Sequence, residues 1–238
     1  MKIDDLLVKG EVKEILPNVF AVIIINDYDR GMLFCRYQEF YESPFNEIRG
    51  KHFTLEDFMK IYTKKNKKTH FTYTEDWSGY NVPSDILIKS NKLFSNSLNA
   101  YDDIMKDIIE HCENVVKSKN NQENTLWYLI GVDKLTSKTM NHEIAHGLYY
   151  TNVHYKVEMD YLISHIKPSV FKHLKGGLLK IGYHDDDKII NDEIQAYMST
   201  DKISSWNQKY YNEYCEKFQN VFKKYNKKVK NGKDNIFR

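Results

Sequence analysis

Cysteine is scarce in this sequence, and its three cysteines lie far apart. Cys35, Cys112 and Cys215 form no C-x-x-C pair, which argues against a disulfide framework and against a cysteine-based zinc knuckle. An odd number of isolated cysteines is most simply explained by a reducing compartment.

Long hydrophobic runs are also missing. The chain has no stretch of about 18 apolar residues that could span a membrane. Its opening segment, MKIDDLLVKGEVKEILPNVF, places acidic side chains where a signal peptide needs an unbroken apolar stretch. We therefore expect a cytoplasmic protein without a membrane partner.

A strong bias of charge is absent as well. The 35 Lys and Arg residues nearly balance the 33 Asp and Glu residues, so the overall electrostatics favour neither nucleic acid nor a membrane surface as partner. The 238 residues, 41% of them hydrophobic, suffice for a real core in one domain, or in one domain with a sizeable subdomain.

Residues 1–95 are predicted to form an N-terminal α+β region. The apolar segments 18–27 and 32–42 are rich in β-branched or aromatic residues, and the sequence DYDRG between them has turn chemistry. Together they predict a β-hairpin.

A helix and a long loop are predicted to follow. Thr54 can cap a helix over 53–65, and Asp57, three residues later, fits a capping box. Residues 64–85 are polar, then aromatic with Gly and Pro, and predict a loop with little regular structure. Its part DWSGYNVPS, residues 76–84, is interpreted as self-packed, although it could also line the rim of a cleft.

Residues 96–238 are predicted to be mainly helical. A short apolar run predicts a buried or edge strand at 125–132, and Gly176 and Gly177 are expected to break a short helix. The spacing of apolar residues and the capping signals predict the other helices at 98–118, 135–152, 153–166, 188–200 and 202–228.

The most informative segment is TMNHEIAHGLYY, residues 139–150, which contains His142, Glu143 and His146 in the order H-E-x-x-H. Two histidines four residues apart lie on one face of a helix, so both imidazoles can bind one tetrahedral ion. Glu143 points about 100° away around the helix but can reach a water held by that ion. Bound zinc lowers the pKa of such a water towards about 7, and a neighbouring carboxylate can pass its proton to a leaving amine.

A catalytic zinc site needs a third protein ligand. The later histidine of the metzincin motif is absent after His146. Glu193 is the preferred candidate, because it shares a helix face with Ile190 and Tyr197 and a buried carboxylate requires a partner. The alternatives that stay open are Asp192, Asp187, His184, Glu158 and Asp160.

HEIAH followed by a glutamate on a downstream helix resembles the gluzincin group of zinc metallopeptidases. The predicted order of backing helix, strand, active-site helix and glutamate helix also resembles the zincin layout, over roughly residues 98–200. The resemblance implies a Zn²⁺ ion held by His142, His146 and Glu193, with Glu143 as general base and acid.

The resemblance further implies an α+β, zincin-like metallopeptidase domain over 96–238, in which the strand at 125–132 binds an extended peptide along its edge. Many gluzincins place an aspartate four residues after the glutamate, where it orients a zinc-bound histidine. That position here is Tyr197, so this support must come from elsewhere.

Two tyrosines near the glutamate helix have open roles. The hydroxyl of Tyr197 is assigned as a donor to a developing oxyanion. Tyr183 and His184 are interpreted as a surface turn, with transition-state hydrogen bonding as the alternative.

The expected function is zinc-dependent hydrolysis of peptide bonds in a peptide or protein substrate. Two alternatives stay open. One is an interaction or regulatory protein that keeps a zincin fold without catalysis. The other is a zinc hydrolase that acts on non-peptide amides.

Overall fold

The computed structural model of the protein describes residues 12–120, 125–135, 138–200 and 211–226, which form a mixed α+β fold. The strands are β1 (Val12–Leu16), β2 (Val19–Ile23), β3 (Tyr80–Pro83) and β4 (Tyr128–Val132). The helices are α1 (Asp27–Glu42), α2 (Leu55–Lys65), α3 (Tyr73–Asp76), α4 (Ser84–Leu93), α5 (Ala100–Asn120), α6 (Lys138–Thr151), α7 (Val153–Ser164), α8 (Pro168–Lys180), α9 (Asp187–Ser199) and α10 (Glu216–Tyr225), the last directly after a π-helical turn at Tyr211–Cys215.

The four strands form one sheet in the order β1-β2-β4-β3. β1 and β2 form an antiparallel hairpin, β2 and β4 are parallel, and β3 runs antiparallel to β4. The hairpin turns through Asn18, whose positive φ of 62° is one that asparagine tolerates better than most residues. The sheet thus combines strands from both sides of the predicted boundary at residue 95, and the division into two regions stays a prediction.

Alternating side chains divide the core between the two faces of this sheet. Phe20, Val22 and Leu129 point to the first face, where they pack with apolar residues of α1 to α5. Ala21 and Ile130 point to the second face, which is covered by α6 to α10. The helix with the HEIAH sequence therefore lies directly on the second face.

The second predicted strand, at 32–42, is wrong, because this segment belongs to helix α1. Asn26 caps the helix by accepting the N–H of Asp29 at 3.1 Å. Every residue from Arg30 to Phe40 is buried, so no polar stripe with helical spacing marks the segment in the sequence. The strand predicted at 18–27 is confirmed as β2, but its hairpin partner is β1.

The loop predicted at 64–85 is also partly wrong, since it contains α3 and β3. β3 has four residues and owes its strand conformation to pairing with β4, with Asn81 opposite Ile130. Such a short strand carries little local signal of its own.

Most of the predicted helices are confirmed. The capping box of α2 is present, with Asp57 N–H donating to Thr54 Oγ1 at 3.1 Å. The four predicted between 98 and 200 correspond to α5, α6, α7 and α9. Of the helix predicted at 202–228, residues 202–210 and 227–228 lie outside the described residues, and α10 falls within the rest. In the described part of the chain, no helix is both long and apolar enough to cross a membrane.

The break expected at Gly176 and Gly177 is wrong, because α8 continues through both glycines. Glycine costs about 1 kcal/mol in a helix interior relative to alanine. The buried side chains of Val170, Leu174 and Leu178 offset this cost by packing into the core on the second face of the sheet. Tertiary packing therefore outweighs the local preference.

Replacing Gly131 of β4 by alanine is expected to destabilise the protein by about 1–3 kcal/mol, because a Cβ atom there would lie 2.4 Å from Cε2 of Phe34. The matched change Gly176→Ala in α8 is expected to stabilise it by about 0.5–1 kcal/mol, because a Cβ atom there meets nothing within 4 Å. Equilibrium denaturant titration measures both. A G131A variant as stable as wild type would contradict the packing of α1 on the sheet.

Candidate metal centre

Helix α6 places His142 and His146 one turn apart in the interior, where they are 3% and 2% exposed. Gly147 lets this helix approach the sheet closely, since a Cβ atom there would lie 2.8 Å from Cγ1 of Val19. The two Nε2 atoms face each other at 3.2 Å. The arrangement expected from the four-residue spacing is therefore present.

Helix α9, which packs on α6, contributes Glu193. Asp186 caps α9 by accepting the N–H groups of Lys188 at 2.9 Å and Ile189 at 3.3 Å. Glu193 is buried, and its carboxylate oxygens lie 3.7 Å from His142 Nε2 and 3.6 Å from His146 Nε2. Within the described ranges, His142, His146 and Glu193 form the one group whose atoms are arranged to hold a metal ion.

The spacing of these atoms fits a metal ion. Ligands about 2.0–2.2 Å from a tetrahedral ion lie roughly 3.3–3.6 Å from one another. The two Nε2 atoms are 3.2 Å apart, and each lies 3.6 or 3.7 Å from a different carboxylate oxygen of Glu193. Oε2 of Glu193 is buried and accepts no hydrogen bond from the described residues. An oxygen atom that binds a metal ion is expected to lack such a donor. Two imidazoles and a carboxylate suit zinc and also other divalent transition metals.

The charges around the site favour a cation. The pKa of Glu193 is raised to about 7. Burial raises it most, and the carboxylates of Asp192 and Glu143 add to this, whereas the charge of His146 lowers it. Burial lowers the pKa of His146, but Asp192 and Glu193 raise it to about 10. Several carboxylates therefore compete for positive charge in a buried space, and a bound cation would supply it.

Asp192 supports the site from behind His146. Its Oδ1 lies 2.9 Å from Nδ1 of His146, the ring nitrogen that does not face Glu193. Such a contact fixes the ring and directs Nε2 towards the ion. The sequence had suggested Asp192 only as an alternative ligand, and the support missing at Tyr197 comes from this residue.

The other alternative ligands lie outside the group. Asp160 accepts the hydroxyl of Tyr149. Glu158 and Asp187 contact lysines, at 2.6 Å from Lys224 and 3.3 Å from Lys175. His184 is likewise not part of the group.

The carboxylate of Glu143 is held next to the group by β3. Nδ2 of Asn81 donates to Oε2 of Glu143 at 2.6 Å, and Oδ1 of Asn81 accepts the hydroxyl of Tyr128 at 2.5 Å. Gly79 leaves room for this carboxylate, since a Cβ atom there would lie 2.8 Å from Oε1 of Glu143. Asn81 was missed in the sequence, where the only signal was that residues 76–84 could line a cleft.

A cleft of about 230 Å³ opens onto these side chains. The cleft is lined by Asn81 and the segment 76–79, which the sequence predicts as a self-packed loop, and by His142, Glu143, His146 and Glu193. The candidate metal centre is therefore buried yet reachable by a small part of a substrate.

No family model, no curated protein and no solved structure matches this chain. The resemblance to the gluzincins therefore stays a prediction. Function has to be argued from the geometry and chemistry of the site itself.

The two tyrosines near Glu193 take different positions. The ring of Tyr197 packs against that of His142, with centroids 4.7 Å apart and planes at 66°. Burial and the charge of Glu193 raise the pKa of Tyr197 to about 12. Tyr183, interpreted as part of a surface turn, is half-buried and lines the cleft, whereas Tyr197 does not. The role of Tyr197 as an oxyanion donor stays a prediction.

Proposed function

We propose that the protein is a zinc-dependent metallopeptidase with His142, His146 and Glu193 as zinc ligands. The observation that carries this proposal is the convergence of two Nε2 atoms and one carboxylate, 3.2–3.7 Å apart, beside the buried Glu143. A zincin-like fold is part of the proposal. It is supported by the succession of α5, β4, α6 and α9 along the chain.

Each step of the proposed reaction is assigned to a particular group of the site. When bound, zinc supplies Lewis-acid polarisation of a carbonyl group and lowers the pKa of a water molecule. Oε2 of Glu143 accepts a hydrogen bond from Asn81. We therefore assign Oε1 as the atom that takes up the proton of the attacking water and passes it to the leaving amine nitrogen. Asp192 keeps His146 oriented throughout.

The strand that aligns the substrate has to be reassigned. The segment 125–132 was expected to bind a peptide along its edge, but β4 is an inner strand, paired with both β2 and β3. β3 is the edge of the sheet beside α6, and its Asn81 contacts Glu143. We assign the extended substrate to β3, whose outer side has no strand partner in the described part of the chain.

The proposal is tested by incubating the purified protein with one equivalent of zinc and a mixture of synthetic peptides, followed by mass spectrometry. We expect cleavage that a chelator abolishes and that added zinc, but not magnesium, restores. Bound zinc without cleavage of any peptide would favour the non-catalytic zincin-fold alternative. Turnover of non-peptide amides alone would favour the other alternative. Failure to bind zinc would contradict both zinc hydrolases and would leave the non-catalytic protein, in which the metal is structural or absent.

A further inference from the structure

Two glutamates of α1 line the same cleft as the candidate metal centre. Glu39 and Glu42 lie three residues apart on this helix, a spacing that places them on one face. Both are among the cleft-lining residues, together with Gln38 of the same helix. α1 therefore adds carboxylates to a cleft that already contains Glu143 and Glu193.

These two carboxylates have no lysine or arginine as ion-pair partner among the described residues. The described lining of the cleft contains no lysine or arginine, and none of the ion pairs among the described residues involves Glu39 or Glu42. Asp76 also lines the cleft, but it accepts hydrogen bonds from Tyr62 and Thr72 and lies 3.6 Å from Nζ of Lys68. Of the cleft carboxylates outside the candidate metal centre, only those of α1 therefore lack a lysine or arginine partner among the described residues.

One carboxylate oxygen of Glu39 has no hydrogen-bond donor. This residue is 6% exposed, and its Oε2 has no hydrogen-bond partner among the described residues, although the hydroxyls of Ser43 and Tyr73 lower the pKa of the carboxyl. Oε1 of Gln38 is buried and equally unsatisfied, while Nε2 of Gln38 donates to Oε1 of Glu42 at 2.9 Å. Two buried acceptors of cleft-lining residues, Oε2 of Glu39 and Oε1 of Gln38, thus lack a donor among the described residues, and buried acceptors of this kind are costly unless a donor meets them.

The formal charges indicate what that donor is. If a divalent ion at the metal centre balances the carboxylates of Glu143 and Glu193, the carboxylates of Glu39 and Glu42 have no cation beside them when they are ionised. Burial raises the pKa of Glu39 to about 7, against the hydroxyls of Ser43 and Tyr73, which lower it. Burial and the charges of Glu193 and Glu39 raise the pKa of Glu42 well above its usual value, although His146 lowers it. A cationic group would remove both penalties.

We propose that Glu39 and Glu42 form a subsite for a cationic group of the substrate, an ammonium or a guanidinium, next to the bond that is cleaved. The ammonium can belong to a side chain or to the amino terminus of the substrate. This inference rests on the proposed peptidase function, because it names the substrate class of the same site. The alternative is a structural pair of glutamates that share a proton.

Binding is measured first, without turnover. Three matched peptides, acetyl-Ala-Lys-Ala-amide, acetyl-Ala-norleucine-Ala-amide and Ala-norleucine-Ala-amide, are titrated calorimetrically into the protein in the presence of a chelator. We expect wild type to bind at least one cationic peptide about tenfold or more tightly than the neutral one, an effect on the scale of a desolvated charge pair. Which cationic peptide is favoured identifies a side chain or an amino terminus as the source of the charge.

The double variant Glu39→Gln/Glu42→Gln is expected to bind all three peptides with similar affinity. Glu110→Gln, which removes an exposed carboxylate of α5 away from the cleft, is the matched control and should keep the preference. Circular dichroism verifies the fold of each variant, and high salt should weaken the preference of wild type by screening.

Equal or undetectable binding of the three peptides to wild type would overturn the subsite, as would an unchanged preference in the double variant. Adding zinc then separates the two proposals. A charge preference without hydrolysis of these peptides or of the peptide mixture would reject the peptidase and leave the cation subsite standing. Hydrolysis without a charge preference would reject the subsite alone.

Discussion

Replacing Glu143 by glutamine should lower kcat about 100- to 10,000-fold, the usual contribution of a general base, and should leave one zinc ion bound per chain. Glutamine has the shape of glutamate, and its amide oxygen can still accept the Asn81 N–H that Glu143 accepts at 2.6 Å. It cannot take up a proton. The proposed zinc ligands are His142, His146 and Glu193, so metal content measured by plasma emission should not change.

Two further variants, with smaller expected losses of kcat, test whether the orientation of Glu143 matters. Asn81→Ala removes a hydrogen bond to a charged group, worth about 1.5–3 kcal/mol, and should lower kcat roughly 10- to 100-fold by leaving Glu143 poorly oriented. Tyr128→Phe removes only the hydroxyl that holds Asn81 and should have a smaller effect. Full activity of Glu143→Gln with zinc bound would show that this carboxylate is not the base.

The half of the site on α6 could be predicted because helix geometry alone fixes it. His142 and His146, four residues apart, must lie on one face of any helix. Glu193 was predictable for a different reason, namely that an acidic residue within an apolar stripe needs a partner. Both arguments use only local spacing, and the structure brings all three residues together.

The supporting residues could not be predicted, because their roles depend on how separate elements pack. Asp192 and Glu193 are neighbours in the chain, and the rotation of α9 against α6 decides that Glu193 faces both Nε2 atoms while Asp192 meets Nδ1 of His146. Asn81 belongs to a strand that exists only through its pairing with β4. No local pattern encodes either fact.

The helices likewise differ in whether local sequence signals predict them. α2 was predictable from its own capping box. α1 was not, because its buried arginines satisfy their charge within the protein and leave no polar face. Arg30 donates to the carbonyl of Ile24 at 2.6 Å, and Arg36 donates to that of Phe53 at 2.6 Å and pairs with Asp102. A helix buried on all sides resembles a strand when only the residue pattern is considered.

Zinc is expected to stabilise the protein strongly, and the size of this effect should rank the acidic residues of α9. Zinc at 1,000 times its dissociation constant stabilises by about 4.1 kcal/mol, which corresponds to roughly 8–16 °C in unfolding temperature for a chain of this size. Glu193→Gln removes one of three ligands and should weaken zinc binding on the order of 10³-fold, a share of the total metal-binding free energy. Competition with a chromophoric chelator measures the affinity, and thermal unfolding measures the stabilisation.

Asp192 and Asp187 provide the comparison on the same helix. Asp192→Asn should weaken zinc binding about 10- to 100-fold, because Asp192 contacts the outer nitrogen of His146 and not the ion. Asp187→Asn, an exposed change in the first turn that affects only a contact with Lys175, should leave the affinity unchanged. The expected order of zinc affinities distinguishes a metal ligand, a residue that supports a ligand and a residue without a role in metal binding. All three lie within six positions of one another in the chain. Wild-type affinity in Glu193→Gln, or an equal loss in Asp187→Asn, would contradict the assignment of Glu193, since neither result is compatible with a carboxylate that contacts the metal directly.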